Sequence, residues 1–275
     1  MDLNTINEVA RPTERAELPA WRDGDAFLGG GTFLFSEPQP RLTRLIDLPG
    51  LGWVPLRTTS FGLEIAATCT IAQLDGLGLP PVWIAAPLID QCCRAFLASF
   101  KIWNMATVGG NLCMALPAGP MIALTAALDG VCVIWTADGG ERRMPVVDFV
   151  LGPQRNALKP GEVLRCIDLP AAALTNRTAL RQISLSPLGR SSALLIGTRG
   201  HDGAFTLTIT ASTPRPIKLA FETMLSSDAL RSRIEQTIPP DAYYDDVHGL
   251  PAWRRHMTLL FAEQIRAELA AEVSA

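Results

Sequence analysis

Runs of apolar residues, broken by glycine, proline and short polar stretches, divide this chain into brief elements of two periodicities. Residues from Ala26 to Phe35 read as a strand, a tight loop at three consecutive glycines, then renewed apolar sequence. Leu42 to Leu48 reads as a strand stopped by Pro49-Gly50, and Leu63 to Thr68 alternates as a strand. Thr70 is placed to cap a helix starting at Ile71, and Pro81 to Phe100 carries Ile84, Leu88, Cys92 and Phe96 at helical spacing. Met121 to Leu128 suits a helix beginning just past a proline. Val131 to Trp135 enters a hairpin at Asp138-Gly139-Gly140, and Leu164 to Leu169 forms a strand closed by Pro170.

Ala171 to Arg177 has little pattern and reads as a boundary. Beyond it, 179–184, 193–198 and 204–211 predict strands, the last two joined across Asp202-Gly203. Helices are predicted over 216–225, 228–237 and 251–273. Strands followed by helices indicate an α+β module.

Two glycine motifs carry the candidate chemistry. Consecutive glycines permit positive φ and remove side-chain bulk, so neighbouring amides can converge on one anion. Gly29-Gly30-Gly31-Thr32 adds a hydroxyl donor, and Thr107-Val108-Gly109-Gly110-Asn111 adds a side-chain amide. Two such loops could close on a dinucleotide from two sides. Neither has the spacing of a Rossmann fingerprint or a P-loop, and each taken alone reads first as a tight turn with no ligand.

Composition narrows the partners. With 275 residues, 48% hydrophobic and 19% charged, the chain has material for two well-buried domains. A net charge of −3 gives no basic stripe for nucleic acid. No basic leader followed by an apolar run opens the chain at Met1 to Thr5, and no membrane-length apolar stretch follows, so a cytoplasmic protein is expected. A mean hydropathy of +0.20 fits either a full core or apolar surface covered by other subunits. Six cysteines without a C-x-x-C pair, and three histidines, predict no metal site; the cysteines read as buried small hydrophobes. His201, His248 and His256 read as surface residues, the six tryptophans as core or interface anchors, and Arg254-Arg255-His256 as a solvated or subunit-facing stripe.

The order and spacing of several landmarks resemble the medium, FAD-binding subunit of the xanthine dehydrogenase and carbon monoxide dehydrogenase family of molybdenum hydroxylases. These are Gly29 to Leu34, Ile65 to Thr70, Ile102 to Leu112, Ala115 to Gly119, Asp148-Phe149, Leu158 to Leu164 and Asp245 to His256. The resemblance runs nearly end to end. It implies an α+β chain: a p-cresol methylhydroxylase-type FAD-binding domain over 1–172, with α/β subdomains of about 1–56 and 57–172, then a C-terminal α+β domain over 177–275. It implies FAD as cofactor, held by Phe27, Leu28, Gly29, Gly30, Gly31, Thr32, Phe33, Leu34, Thr107, Val108, Gly109, Gly110 and Asn111, with Gln182 at a further cofactor-binding position. Leu97 and Leu164 fall where the family packs the flavin; Trp103, four residues before the second motif, reads first as a packing residue and second as a contact to the flavin. No side chain of this chain would itself oxidise the organic substrate.

The resemblance also implies partners: a small subunit with [2Fe-2S] clusters and a large subunit with the molybdenum cofactor, in a dimer of heterotrimers, and an external electron acceptor. The sequence departs from the family at four places. Pro120 stands where an aspartate ligand is usual, Gln182 where a lysine is expected, Phe33 where the first loop has aspartate, and Ala66 where the third landmark has glycine. Pro120 and Gln182 motivate the alternative of a structural or assembly subunit with a degenerate flavin site. A self-contained flavin oxidase shares only the domain type.

Overall fold

The computed structural model describes residues 3–271, so the expected helix end at Val273 lies outside the described residues. Three short strands, β1 (Glu8–Ala10), β2 (Asp25–Leu28) and β3 (Arg44–Asp47), form a parallel sheet in the order β1-β3-β2. Its base is fixed by a buried ion pair. Arg44 donates from Nε and Nη2 to the two Asp25 oxygens at 2.8 and 2.5 Å, and from Nη2 to the Ala20 carbonyl at 2.8 Å. This forked geometry aims β2 at the first glycine motif.

The chain then forms the hairpin of β4 (Leu56–Thr59) and β5 (Gly62–Ala66), followed by five helices: α1 (Ile71–Asp75), α2 (Ala86–Ala95), α3 (Phe100–Trp103), α4 (Val108–Met114) and α5 (Pro120–Ala127). Thr70 caps α1 as expected, accepting from the Gln73 amide. Strands β6 (Val131–Trp135) and β7 (Glu141–Pro145) make the expected hairpin, in which Gly139 takes φ 89°. A turn of helix, α6 (Val146–Phe149), and a small ribbon, β8 (Val150–Gly152) with β9 (Arg155–Asn156), lead to β10 (Val163–Pro170). The result is a five-stranded antiparallel sheet in the order β4-β5-β10-β6-β7.

After a single turn, α7 (Ala171–Leu174), come β11 (Arg177–Ile183), β12 (Ala193–Arg199), β13 (Phe205–Thr210) and β14 (Ile217–Phe221), an antiparallel sheet in sequence order. Helices α8 (Ser227–Thr237) and α9 (Pro251–Ala270) close the described chain. One face of this sheet, through Leu195, Leu207 and Ile209, packs on Phe261, Ile265 and Leu269 of α9. The other, through Leu194 and Ile196, joins the core that holds α5 and α2. Helix α5 is apolar all round because it is covered all round.

The α+β class holds, with two corrections to the elements. The helix predicted over 216–225 is strand β14: Leu219 is buried, Ala220 exposed, and Phe221 stacks on Phe205 at 5.9 Å. Period-two burial against β13 outweighs the helix propensity of Lys218, Leu219 and Ala220. The stripe predicted at Arg254 is wrong as well. Arg254 is 1% exposed, while His256 is exposed.

Burial opposes ionisation of Asp25, but hydrogen bonds from Arg44 and the Arg22 amide outweigh it and hold the carboxyl below its ordinary range. A lowered folded pKa contributes stability above the unfolded value and loses it as pH falls through the folded value. Asp25→Asn should therefore cost about 3 kcal/mol at pH 7, because it strands the buried Arg44 charge. In urea unfolding, the gap between parent and variant should narrow below about pH 4, where the unfolded carboxyl protonates.

Candidate functional site

Strand β2 ends at Leu28, and the chain turns through Gly29, Gly30 and Gly31 into a coil closed by the Phe35 amide on the Gly31 carbonyl at 2.8 Å. The glycines are required by contact with a distant segment. A Cβ on Gly30 would stand 1.5 Å from the Met105 carbonyl oxygen, and one on Gly29 would stand 3.0 Å from Thr107 Oγ1. Gly31 takes φ 70°, with the Phe35 ring 2.4 Å from where its Cβ would lie. The structure thus sets the first motif directly against the approach to the second.

Among the described residues, the amides of Gly30 to Leu34 donate to no protein acceptor, and the Thr32 hydroxyl has no partner. Gly31 is buried and residues 32–34 are half-buried. Partly sheltered amides in a row, without a competing carbonyl, suit an anion.

The second motif differs from expectation. Residues 108–111 open helix α4 rather than a free turn, with Thr107 as N-cap accepting from the Gly110 amide at 3.0 Å. The Val108 amide donates to the Cys69 carbonyl at 2.8 Å, Gly109 to Ala67 at 3.0 Å, and Asn111 to Thr107 at 3.0 Å. Every first-turn amide is therefore satisfied inside the protein. The expected second anion nest is corrected to a wall of small residues: Gly109 allows α4 to approach Ala67, whose Cβ would otherwise lie 2.4 Å away, and Gly110 is exposed.

Asn111 spends its side-chain oxygen on the Met121 amide at 3.2 Å, which caps α5. Its Nδ2 donor has no protein partner among the described residues. Pro120 occupies N1 of α5, fully buried, where a missing N–H costs nothing. The position where the family usually has aspartate is thus built into a helix start.

The other expected residues scatter. Phe27 packs on Trp21 with ring centroids 5.1 Å apart and the rings tilted by 36°, and Leu28 is half-buried. Phe33 and Leu34 lie on the free-amide coil. Leu97 is 43% exposed on the loop after α2, whereas Val108 and Leu164 are sealed in the core, leaving their side chains no free surface. Gln182 sits in β11, its amide donating to Ser191 Oγ at 2.8 Å. Trp103 is half-buried, its indole N–H on the Phe96 carbonyl at 3.0 Å.

Sequence reasoning missed three supports. Asp25 with Arg44 steadies β2. Glu162 receives Arg142 at 2.9 and 2.5 Å, and this pairing overrides burial to hold its carboxyl below the ordinary range. Asn156 donates to the Cys113 carbonyl at 2.7 Å, tying the 150–156 ribbon to α4. Charged pairs separated by 19 and 20 residues leave no local signature.

Burial pushes the thiols of Cys69, Cys93, Cys113 and Cys166 up to about 12, so they stay protonated and are poor nucleophiles or ligands. Glu64, Cys166 and Asp168 converge closely enough for an ion, but both carboxylates are paired, Glu64 with Arg57 and Asp168 with Arg143.

Residues 7–172, more than half of the chain, match the family of FAD binding domains in molybdopterin dehydrogenases. The chain belongs to that family. This FAD-binding chain is 25% identical over 255 residues to the nicotinate dehydrogenase FAD-subunit of Eubacterium barkeri, covering 82% of the chain and 81% of that subunit. It is 30% identical over 121 residues to a xanthine dehydrogenase of Oryza sativa subsp. japonica, covering 42% of the chain but only 9% of that much longer protein. Two carbon monoxide dehydrogenase structures share its fold. The one from Hydrogenophaga pseudoflava superposes with TM-score 0.82 at 20% identity, covering 98% of this chain and all of the matched chain (100%). The one from Oligotropha carboxidovorans gives 0.81 at 22%, covering 97% and 99%. FAD is the family's cofactor, and the free amides of 30–34 fit its diphosphate.

Gly30→Ala should cost about 1–3 kcal/mol, because the added methyl displaces backbone rather than a flexible side chain. Gly78→Ala, with nothing within 4 Å of the added carbon, should stay within about 0.5 kcal/mol. Thermal unfolding of the two variants beside the parent checks both values.

Proposed function

We propose that this chain is the electron-transfer subunit of a cytoplasmic molybdenum hydroxylase. In this reading it binds FAD through Gly29 to Leu34 on one side and the Thr107 to Asn111 wall on the other. It links [2Fe-2S] clusters of a small partner subunit to an external acceptor. The organic substrate is hydroxylated at the molybdenum cofactor of a large subunit, and the assembly is a dimer of heterotrimers. The flavin-binding part is 1–172, with subdomains of about 1–56 and 57–172, and the C-terminal domain is 177–275. The observation that carries the reading is the row of amides at 30–34, unpartnered among the described residues, which begins where Gly30 meets the Met105 carbonyl.

FAD, when bound, supplies the redox chemistry. The chain's residues bind and orient it. The coil amides offer neutral donors to the diphosphate, and Asn111 offers Nδ2 once its oxygen is held by α5. Small residues at 109 and 110 let the cofactor lie close to backbone. Large apolar side chains stand exposed in the segment leading to the site, Leu97 at 43%, Phe100 at 73% and Met105 at 52%. Such exposure supports a face covered in an assembly. Among the described residues no helix is long and apolar enough to cross a membrane.

Purified with its partners, the chain should release about one FAD per copy on denaturation, and the complex should contain iron and molybdenum. Gly110→Asp, which sets a carboxylate at the exposed wall, should remove most of the flavin and slow acceptor reduction while the subunits still assemble. Full acceptor turnover in a complex without flavin would instead support the assembly-subunit reading.

A further inference from the structure

Among the described residues Arg254 is the largest fully buried side chain, held in the first turn of α9. Its Nε donates to the Gly249 carbonyl at 2.9 Å, Nη1 to the carbonyls of Ser192, at 2.7 Å, and Ala211, and Nη2 to the Asp246 carboxylate. Burial works against its charge and Asp246 works for it. One buried charge thus gathers three separated segments: the start of β12, the end of β13 and the loop before α9. Removing such a group leaves several carbonyls unpaired at once.

Ala211 is the segment that reaches furthest. It adopts φ 64°, a costly conformation for a residue with a Cβ. In that conformation its carbonyl accepts from Arg254 while its amide donates to the Pro117 carbonyl at 2.9 Å. Pro117 belongs to the corner between α4 and α5. The same corner carries Gly119, where a Cβ would stand 2.8 Å from Asn111 Oδ1, and the Met121 amide that Asn111 accepts. The two peptide groups flanking Ala211 therefore join the arginine to the corner that sets the Asn111 side chain.

We infer that Arg254 is a positioning residue for flavin binding, acting through the two peptide groups flanking Ala211 on the α4–α5 corner that orients Asn111. This rests on the flavin-binding reading above. A role confined to the stability of the C-terminal sheet would instead leave the corner, and FAD affinity, unchanged in any variant that still folds.

The test titrates FAD into deflavinated full-length chain, for the parent, Arg254→Met, Arg254→Lys and Leu230→Ala. Leu230 is 1% exposed in the second core and provides a destabilised control away from the corner. Arg254→Met should raise the FAD Kd about tenfold, an ordinary size for coupling between separate groups. It should also change the visible circular dichroism of bound flavin and speed hydrogen exchange at the Gly119 and Met121 amides of flavin-free protein. Arg254→Lys keeps the charge without the fork and should fall between. Leu230→Ala should lower Tm with Kd unchanged. If Arg254→Met does not fold, Asp246→Asn, which keeps the guanidinium but removes its carboxylate, should give the same shifts at smaller size. An unchanged Kd in the variants at 254 or 246, or an equal loss in Leu230→Ala, overturns the inference. A parent chain that takes up no FAD overturns the flavin-binding reading itself, and this inference with it.

Discussion

The contact of Gly30 with the Met105 carbonyl is the constraint on which the site depends. Two segments some 75 residues apart in sequence meet backbone to backbone, at a distance no Cβ permits. Because Gly30 yields its side-chain space to Met105, the coil that follows is pressed against the approach to α4 rather than left free in solvent. Among the described residues its amides donate to no carbonyl, which leaves them free for the anion that the proposed reading places there. In the proposed reading the two motifs divide the work: the first donates, and the second, with its amides already spent on Ala67, Cys69 and Thr107, supplies a smooth boundary.

Rigidity around that contact comes from buried charge rather than from long helices. Asp25 with Arg44, Glu162 with Arg142, and Arg254 with Asp246 each sit where strands or loops must keep a fixed angle. Such pairs contribute little net stability relative to apolar packing, but breaking one is expensive, so they specify geometry. The apolar work is done elsewhere, by α5 enclosed between the five-stranded sheet's helices and the C-terminal sheet.

Much of the fold was legible in the sequence because its signals are local. The cap at Thr70, the turns at Gly139 and Gly203, and the apolar run of 193–198 each depend on a few adjacent residues. The helix nature of 108–114 was hidden by its glycines, although Thr107 as a cap with Val108 and Leu112 one turn apart was the available signal. Strand β14 is disguised because Pro216 followed by Ile, Lys, Leu and Ala imitates a helix start, while the alternation of Ile217, Leu219 and Phe221 carries the correct period. Arg254 could not be read at all. Its burial is set by carbonyls 43 and 62 residues away, and Arg-Arg-His looks like surface in any local window. At the site, the glycine coil was readable from the sequence, but the occupation of the α4 amides depends on where the segment after β5 places the Ala67 and Cys69 carbonyls, which no local pattern encodes.

The most direct measurement is residue-resolved amide hydrogen exchange with and without FAD. The amides of Gly30 to Leu34 should exchange freely in the flavin-free chain and become protected when FAD binds, while those of Val108, Gly109 and Gly110 should be protected in both states. Protection that appears on binding at 108–110 and not at 30–34 would contradict the account.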